Sequence, residues 1–126
     1  MAYIWYSIYY CSMKPESLFG VLSDQTRLRS LMLIQSEGEV CVCELTYALE
    51  ASQPKISRHL ALMRESELVE SRREGTWMHY RINPHLPDWS KQVIEHVFDG
   101  LMEMSPFKDD RKQLNQMKTR PERNCV

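Results

Sequence analysis

Apolar residues recur every three or four positions through the first half of the chain, a spacing that predicts four short helices in succession. Pro15 suits the first turn of the first helix, Asp24 would cap the second, and Gly38 would end it. The third helix is predicted to begin near Cys41, and Ser52 would cap the fourth.

Beyond the fourth helix the period changes from helical to alternating. This predicts two short strands over residues 68–73 and 76–82, joined by a two-residue hairpin turn at Glu74-Gly75. Helical spacing then returns over residues 89–104. The element order is α-α-α-α-β-β-α, a mainly α fold with a β-hairpin wing, which is the order of a winged helix-turn-helix domain.

The domain is expected to cover residues 13–104. Residues 105–126 are polar and rich in Lys and Arg, and are predicted to form a mobile tail. Residues 1–12 are apolar and aromatic, but they are too few to span a bilayer and lack the charge pattern of a signal peptide. Two interpretations remain open for them: a loosely docked arm, or a stretch that is not translated because the true start is Met13.

The last helix carries an apolar stripe of several turns, and little of the chain is left to pack against it. Pairing with a second copy would bury this stripe together with the first helix, so a homodimer is predicted. The alternative is that the stripe packs entirely inside its own subunit. The predicted dimer interface consists of Leu18, Trp89, Val93, Val97 and Leu101.

The length of 126 residues is that of a single domain, and the 43% hydrophobic and 26% charged residues are ordinary for a globular protein. The formal net charge is −1. A chain of this charge has no overall attraction to nucleic acid, so any basic surface must be local. The four cysteines do not have the setting of a small secreted disulfide domain. Reduced thiols in the cytoplasm, and no membrane partner, are therefore expected.

The fourth predicted helix carries a polar surface suited to reading DNA. On a helical wheel Lys55 and Arg58 fall opposite the apolar stripe of the same helix, and Gln53 lies at its start. Guanidinium and amide groups at this place in a helix-turn-helix are typical readers of the major groove. Residues 52–82 carry six basic against four acidic side chains, a local charge of +2. The predicted contacts to double-stranded operator DNA are Ser52, Gln53, Lys55, Ser57, Arg58 and His59 of this helix, with Arg72 and Arg73 beside the hairpin tip.

Two cysteines one residue apart, Cys41 and Cys43, open the third predicted helix. Side chains two positions apart on a regular helix point about 200° away from each other. If both thiols bind one ion, the start of this helix must unwind, which would shift the fourth helix relative to DNA. Paired thiolates suit soft centres such as arsenite, antimonite, cadmium or lead. A cysteine enzyme is not expected, because the sequence offers no recognisable His and Asn or Asp partners.

Three segments carry a resemblance to a known family: CVCEL at 41–45, SQPKISRHLALMRES at 52–66 and REGTWMHYRINPHLPDW at 73–89. Together they resemble the arsenic-responsive branch of the ArsR/SmtB family of bacterial repressors. The resemblance implies a homodimeric winged-helix repressor of an arsenic-resistance operon, which As(III) or Sb(III) releases from its operator, with no cofactor required. Cys41 and Cys43 match the thiols that bind the inducer in that branch.

The resemblance leaves the ligand set one donor short. The family's third cysteine, three residues after the second, would fall at Thr46, whose hydroxyl is a poor substitute for a thiolate. Cys125, Cys11, water or a cellular thiol are the candidates for the third donor. Cadmium and lead sensors of the family complete such a site with cysteines of an N-terminal arm, so a cadmium- or lead-responsive repressor using Cys11 is one alternative. A redox-responsive regulator that oxidises Cys41 and Cys43 is another.

Overall fold

The computed structural model describes residues 13–118 and 120, so the predicted arm of residues 1–12 and the last part of the tail lie outside the described residues. The elements in this part of the chain are α1 Pro15–Leu22, α2 Gln25–Glu37, β1 Val40–Cys41, α3 Val42–Leu49, α4 Gln53–Glu65, β2 Val69–Glu74, β3 Trp77–Ile82, α5 Asp88–Leu101 and α6 Phe107–Asn115. The mainly α fold with a hairpin wing is confirmed, and β1 and α6 are additions to it. Among the described residues, no helix has the length and apolar character that crossing a bilayer requires.

Three helix-end signals act where the sequence places them. Asp24 accepts a hydrogen bond from the backbone N–H of Arg27 (3.0 Å), and Ser52 accepts one from that of Lys55 (3.4 Å). Each side chain satisfies one of the donors that a helix start leaves unpaired. Gly38 ends α2 with φ of +84°, a conformation that costs little only in a residue without a Cβ.

The wing belongs to a three-stranded antiparallel sheet in the order β1-β3-β2. The turn between β2 and β3 lies one residue later than predicted, at Gly75 and Thr76, because Glu74 is already paired in the ladder. Gly75 has the positive φ, +64°, that tight hairpin turns favour. β1 contributes only two residues, with Cys41 opposite His79. A strand this short leaves no periodicity in the sequence, so it was not predicted.

The core receives buried apolar side chains from every described element. α2 passes through its middle, and its residues 31–34 are all buried. On α4 the predicted inner stripe of Ile56, Leu60 and Met63 is buried, which leaves the opposite side of that helix to solvent.

The predicted mobile tail is wrong for residues 107–115, which form α6 and pack against α2 and α3. Phe107 and Leu114 are buried on the inner side of this helix, and the polar residues between them mask the pattern in the sequence. Asp110 is buried beside them, and Arg29 of α2 donates two hydrogen bonds to its carboxylate, at 2.8 and 2.6 Å. The buried carboxylate is tolerated because this guanidinium compensates its charge.

One of the five residues predicted for the dimer interface is placed wrongly. Leu18 is completely buried in its own subunit, where α1 packs on α2, and its neighbour Phe19 is 53% exposed instead. The stripe on α5 is divided between the core and the surface, because another side of that helix faces inward. Trp89 is exposed. The other three residues are partly buried at the edge of the core: Val93, Val97 and Leu101.

Candidate thiol site and nucleic-acid interface

α4 presents a polar face to solvent on the side opposite its buried stripe. Ser52, Gln53, Lys55 and Arg58 are exposed there, at the start and along the first two turns. The side-chain amide of Gln53 donates to the hydroxyl of Ser57 at 2.8 Å. A rigid helix thus carries two cations and several hydrogen-bonding groups, which can contact phosphates and base edges.

His59 belongs to the contact between α4 and the start of α2. Its side chain is 13% exposed, and its Nδ1 lies 3.2 Å from a guanidinium nitrogen of Arg27, which also donates to the carbonyl of Gly20. Burial lowers the pKa of His59, and the carboxylate of Asp24, 3.9 Å away, opposes that effect. The ring is placed to hold α4 against α2, so the structure does not group it with the exposed predicted DNA contacts.

The two arginines predicted for the wing differ in their surroundings. Arg73 is exposed near the hairpin turn. Arg72 donates two hydrogen bonds to Glu39, at 2.7 and 2.9 Å, and also pairs with Glu74. These hydrogen bonds raise the pKa of the Arg72 guanidinium. Arg72 is occupied by the carboxylates of Glu39, which precedes β1, and of Glu74, which ends β2, so Arg73 is the better placed of the two for a contact with DNA.

The two thiols lie side by side at the junction of β1 and α3. Cys41 is the last residue of β1 and precedes α3 with an extended backbone (φ −88°, ψ 153°), whereas Cys43 lies in the first turn of the helix. The Cys43 S–H donates to the sulfur of Cys41, and the Sγ atoms are 3.1 Å apart. The expectation that they point 200° apart is wrong, because it treated Cys41 as helical. Both sulfurs can therefore meet one ion without unwinding α3.

Burial sets the protonation of Cys43. Burial raises the pKa of Cys43 to about 12, and the hydrogen bond to Cys41 acts in the same direction. Cys43 is half-buried, and Cys41 is only 1% exposed. Near neutral pH the site therefore presents Cys43 as a neutral thiol.

Two charged residues that support the thiol pair were not predicted. Glu44 is buried, and one of its carboxylate oxygens accepts the backbone N–H of Cys41 at 2.8 Å. The other oxygen accepts from Arg120 at 2.6 Å, and Arg120 also donates to Glu37 at 2.8 Å. The placement of Glu three residues after the cap is the spacing of a capping box, a sequence signal that could have identified Glu44. No local pattern indicates Arg120.

The family model for bacterial regulatory proteins of the arsR family matches residues 24–71, from the start of α2 into β2. The arsenical resistance operon repressor of Escherichia coli (strain K12) is 51% identical over 84 residues, which cover 67% of this chain and 72% of that protein. The arsenic resistance transcriptional regulator ArsR1 of Pseudomonas putida is 48% identical, with 86% and 83% covered. The chain belongs to the arsR family.

A solved structure of similar fold supports the same assignment. It is the homodimeric winged helix-turn-helix DNA-binding domain of Mb0332 from Mycobacterium bovis, a possible ArsR-family transcriptional regulator. The TM-score is 0.56 at 27% identity, and the match covers 71% of this chain and 79% of that one. As a member of the arsR family, the protein is a DNA-binding transcriptional regulator and not an enzyme, as the sequence predicts.

The candidate thiol site has two sulfurs, those of Cys41 and Cys43, within the described residues. Thr46, at the position of the expected third cysteine, donates its hydroxyl to the carbonyl of Cys43 at 2.8 Å. Cys125 and Cys11, two of the candidates for the third donor, lie outside the described residues. Within residues 13–118 and 120, no group of three or more His, Cys, Asp or Glu side chains is arranged to hold a metal ion.

Proposed function

We propose that this protein is an arsenic-responsive transcriptional repressor. It binds the operator of an arsenic-resistance operon as a cytoplasmic homodimer and leaves it when As(III) or Sb(III) binds Cys41 and Cys43. The observation that carries the proposal is the pair of thiols with sulfurs 3.1 Å apart. Identities of 48% and 51% to arsenic-resistance regulators support the choice of ligand.

The thiol spacing fits a single soft centre. A tetrahedral ion with bonds to sulfur of about 2.3 Å holds two sulfurs about 3.8 Å apart, so small side-chain rotations suffice to bind it. Two sulfur donors favour soft ions over magnesium or calcium, which bind oxygen.

The two thiols belong to elements that lead to different parts of the DNA-binding unit. Cys41 lies on β1, which pairs with the wing strand β3, and Cys43 lies on α3, which precedes α4. A ligand on both thiols ties the strand to the helix. We expect the liganded state to favour an arrangement of α4 in which the two helices of a dimer no longer match successive major grooves.

The predicted operator contacts follow from the exposed side of α4. Gln53, Lys55 and Arg58 of the two subunits would enter adjacent major grooves, and Arg73 of each wing would reach the DNA backbone. Such a dimer requires a palindromic operator with half-sites about one helical turn apart.

Gel retention of operator DNA with the full chain tests the proposal. We expect low-micromolar arsenite or antimonite to release the DNA from the unaltered protein. Cys41→Ser and Cys43→Ser should bind the DNA equally well and lose the response, because neither thiol lies on the exposed face of α4. DNA that stays bound at these arsenite concentrations would refute the proposed inducer.

Parallel measurements with cadmium, lead and a mild oxidant separate the alternatives. Release by cadmium or lead, with no effect of arsenite, would mean that the inducer is a divalent ion. Release by the oxidant alone, reversed by a reductant, would indicate a redox regulator.

A further inference from the structure

His79 lies beside the thiol pair, on the strand opposite Cys41. β1 and β3 run antiparallel with Cys41 directly opposite His79, so the two side chains leave the same face of the sheet. Side chains opposed in this way have Cβ atoms about 4.5–5.5 Å apart. Both are buried, with 1% of Cys41 and 2% of His79 exposed. The wing therefore contributes an imidazole to the surroundings of the thiols.

The Nδ1 atom of His79 is buried and has no hydrogen-bond partner among the described residues. Buried polar atoms in folded proteins are nearly always paired, because an unpaired one loses its bonds to water without replacement. Such an atom next to a ligand site is a natural partner for a polar group of the ligand.

The charged side chains near the His79 ring form ion pairs with one another. Arg72, opposite His79 on β2, pairs with Glu39, and Arg81 pairs with Glu70 at 2.9 Å. Together with His79 these pairs line an open cavity of about 240 Å³. Because the charges are matched, a small neutral solute can approach this side of the sheet without displacing an ion pair.

Arsenious acid, the neutral form of arsenite, has three hydroxyl groups on arsenic. Each thiol forms a bond from sulfur to arsenic and gives up its proton, which leaves with one hydroxide as water. Cys41 and Cys43 thus displace two hydroxyls as two molecules of water, and nothing is oxidised or reduced. One As–OH group remains on the bound ligand.

We propose that His79 binds this remaining hydroxyl through Nδ1, an inference that rests on the proposed function. A hydroxyl both donates and accepts, so it can pair with Nδ1 whichever ring nitrogen carries the proton. The third donor to arsenic is then the ligand's own oxygen, and no third cysteine is needed. His79 favours trivalent hydroxides of arsenic and antimony over cadmium and lead ions, which bring no covalent hydroxyl.

Methylarsonous acid provides the test, because two thiols displace both of its hydroxyls and leave a methyl group of similar size. Binding of each arsenical to the full chain is followed by the ultraviolet absorption of the As–S bonds, with a reductant that contains no thiol. His79→Gln carries its amide near the position of Nε2, and His79→Asn carries it near that of Nδ1. His85→Gln, at an exposed histidine, is the matched control.

We expect His79→Gln to weaken arsenite binding about tenfold, the size of one hydrogen bond to a buried group, and to leave methylarsonous acid binding within about twofold. His79→Asn should recover part of the loss, and His85→Gln should match the unaltered protein. X-ray absorption of the arsenite complex should show two sulfurs and one oxygen on arsenic, also in Cys125→Ser and Cys11→Ser.

Equal effects of His79→Gln on both arsenicals, or none on either, would overturn the role of His79 while the proposed function stands. Three sulfurs on arsenic in the unaltered protein would do the same. If the unaltered protein binds neither arsenical, the proposed function itself fails.

Discussion

Cys43, a proposed ligand of the inducer, is a neutral thiol near neutral pH, because burial and the hydrogen bond to Cys41 bring its pKa to about 12. A divalent cation must release that proton to solvent before the sulfur can bind. Arsenious acid removes it as water formed with its own hydroxide. The two classes of candidate inducer therefore differ in how their affinity depends on pH.

We expect the affinity for cadmium to rise by at least about tenfold per pH unit near neutral pH, as the release of one proton from Cys43 requires. The affinity for arsenite should stay nearly constant over the same range, because no net proton is released. Calorimetric titrations at three pH values measure both. Cys43→Ser should lower the slope of the cadmium series by about tenfold per pH unit, and a flat series for the unaltered protein would mean that Cys43 is already ionised.

The two cysteines show the limit of what spacing along the sequence can predict. The spacing of Cys41 and Cys43 identified the thiols, but it could not say that Cys41 is the end of a strand. That placement comes from the pairing of Cys41 with His79 and from the hydrogen bond of its N–H to Glu44. The first contact joins residues far apart in the sequence, so no local spacing encodes it.

At the level of elements, α4 combines a buried stripe with an exposed basic side, both of which follow from one helical period. Lys55 and Arg58 lie on the exposed side, away from the core and from the thiols. Their removal should therefore change DNA binding without changing the fold.

The double variant Lys55→Ala, Arg58→Ala should weaken operator retention and flatten its salt dependence, by about 0.9 in the log–log slope for each cation that no longer meets a phosphate. Retention measured at several salt concentrations gives that slope. Lys112→Ala, an exposed lysine on α6, is the control and should leave it unchanged. Unaltered retention by the double variant would mean that another surface contacts DNA.

The last helix, α6, is an integral part of the domain. Its buried face packs on α2 and α3, and the pair formed by Asp110 and Arg29 lies in the same contact. Phe107 and Leu114 have helical spacing in the sequence, but a segment with only two apolar residues among polar ones looks the same as a solvent-exposed helix. The packing against α2 is what buries this helix, and the local sequence does not encode that contact.

Leu114→Ala should lower the free energy of unfolding by about 2–5 kcal/mol, the usual cost of a cavity at a completely buried leucine. Urea denaturation followed by circular dichroism measures this change. Lys112→Ala on the same helix should shift the unfolding midpoint very little. Equal stability of Leu114→Ala and the unaltered protein would indicate that α6 does not contribute to the folded domain in solution.

At the scale of the whole molecule, apolar side chains remain on the surface after the core is complete. Trp89 on α5 is 37% exposed and Phe19 on α1 is 53% exposed. Both belong to the two helices that are predicted to pair in the homodimer. A second subunit that packs on these helices would cover both side chains.

Trp89→Glu should shift the protein from dimer to monomer and weaken operator retention, because a carboxylate buried between subunits has no partner. Sedimentation velocity measures the oligomeric state. Leu62→Glu, at a leucine of α4 that is 47% exposed, is the control and should remain dimeric. A dimeric Trp89→Glu would place the interface elsewhere.

The sequence by itself determined the helices and their caps, the hairpin wing, the basic side of α4, the pair of cysteines and the family. These features depend on local period, on single residues at helix ends, or on a resemblance carried by short segments. The turn of the wing and the short strand β1 depend on pairing between strands. The sequence therefore places the turn one residue too early and gives no sign of β1.

Only the tertiary structure decided what surrounds the thiols. It brings Cys41 and Cys43 together across the junction of β1 and α3, seats Arg120 on Glu44, and sets His79 opposite Cys41. Each of these contacts except the first joins residues distant along the chain, and the first depends on where a strand ends. The chemistry of the site is therefore a consequence of packing, while its two sulfurs are a property of the sequence.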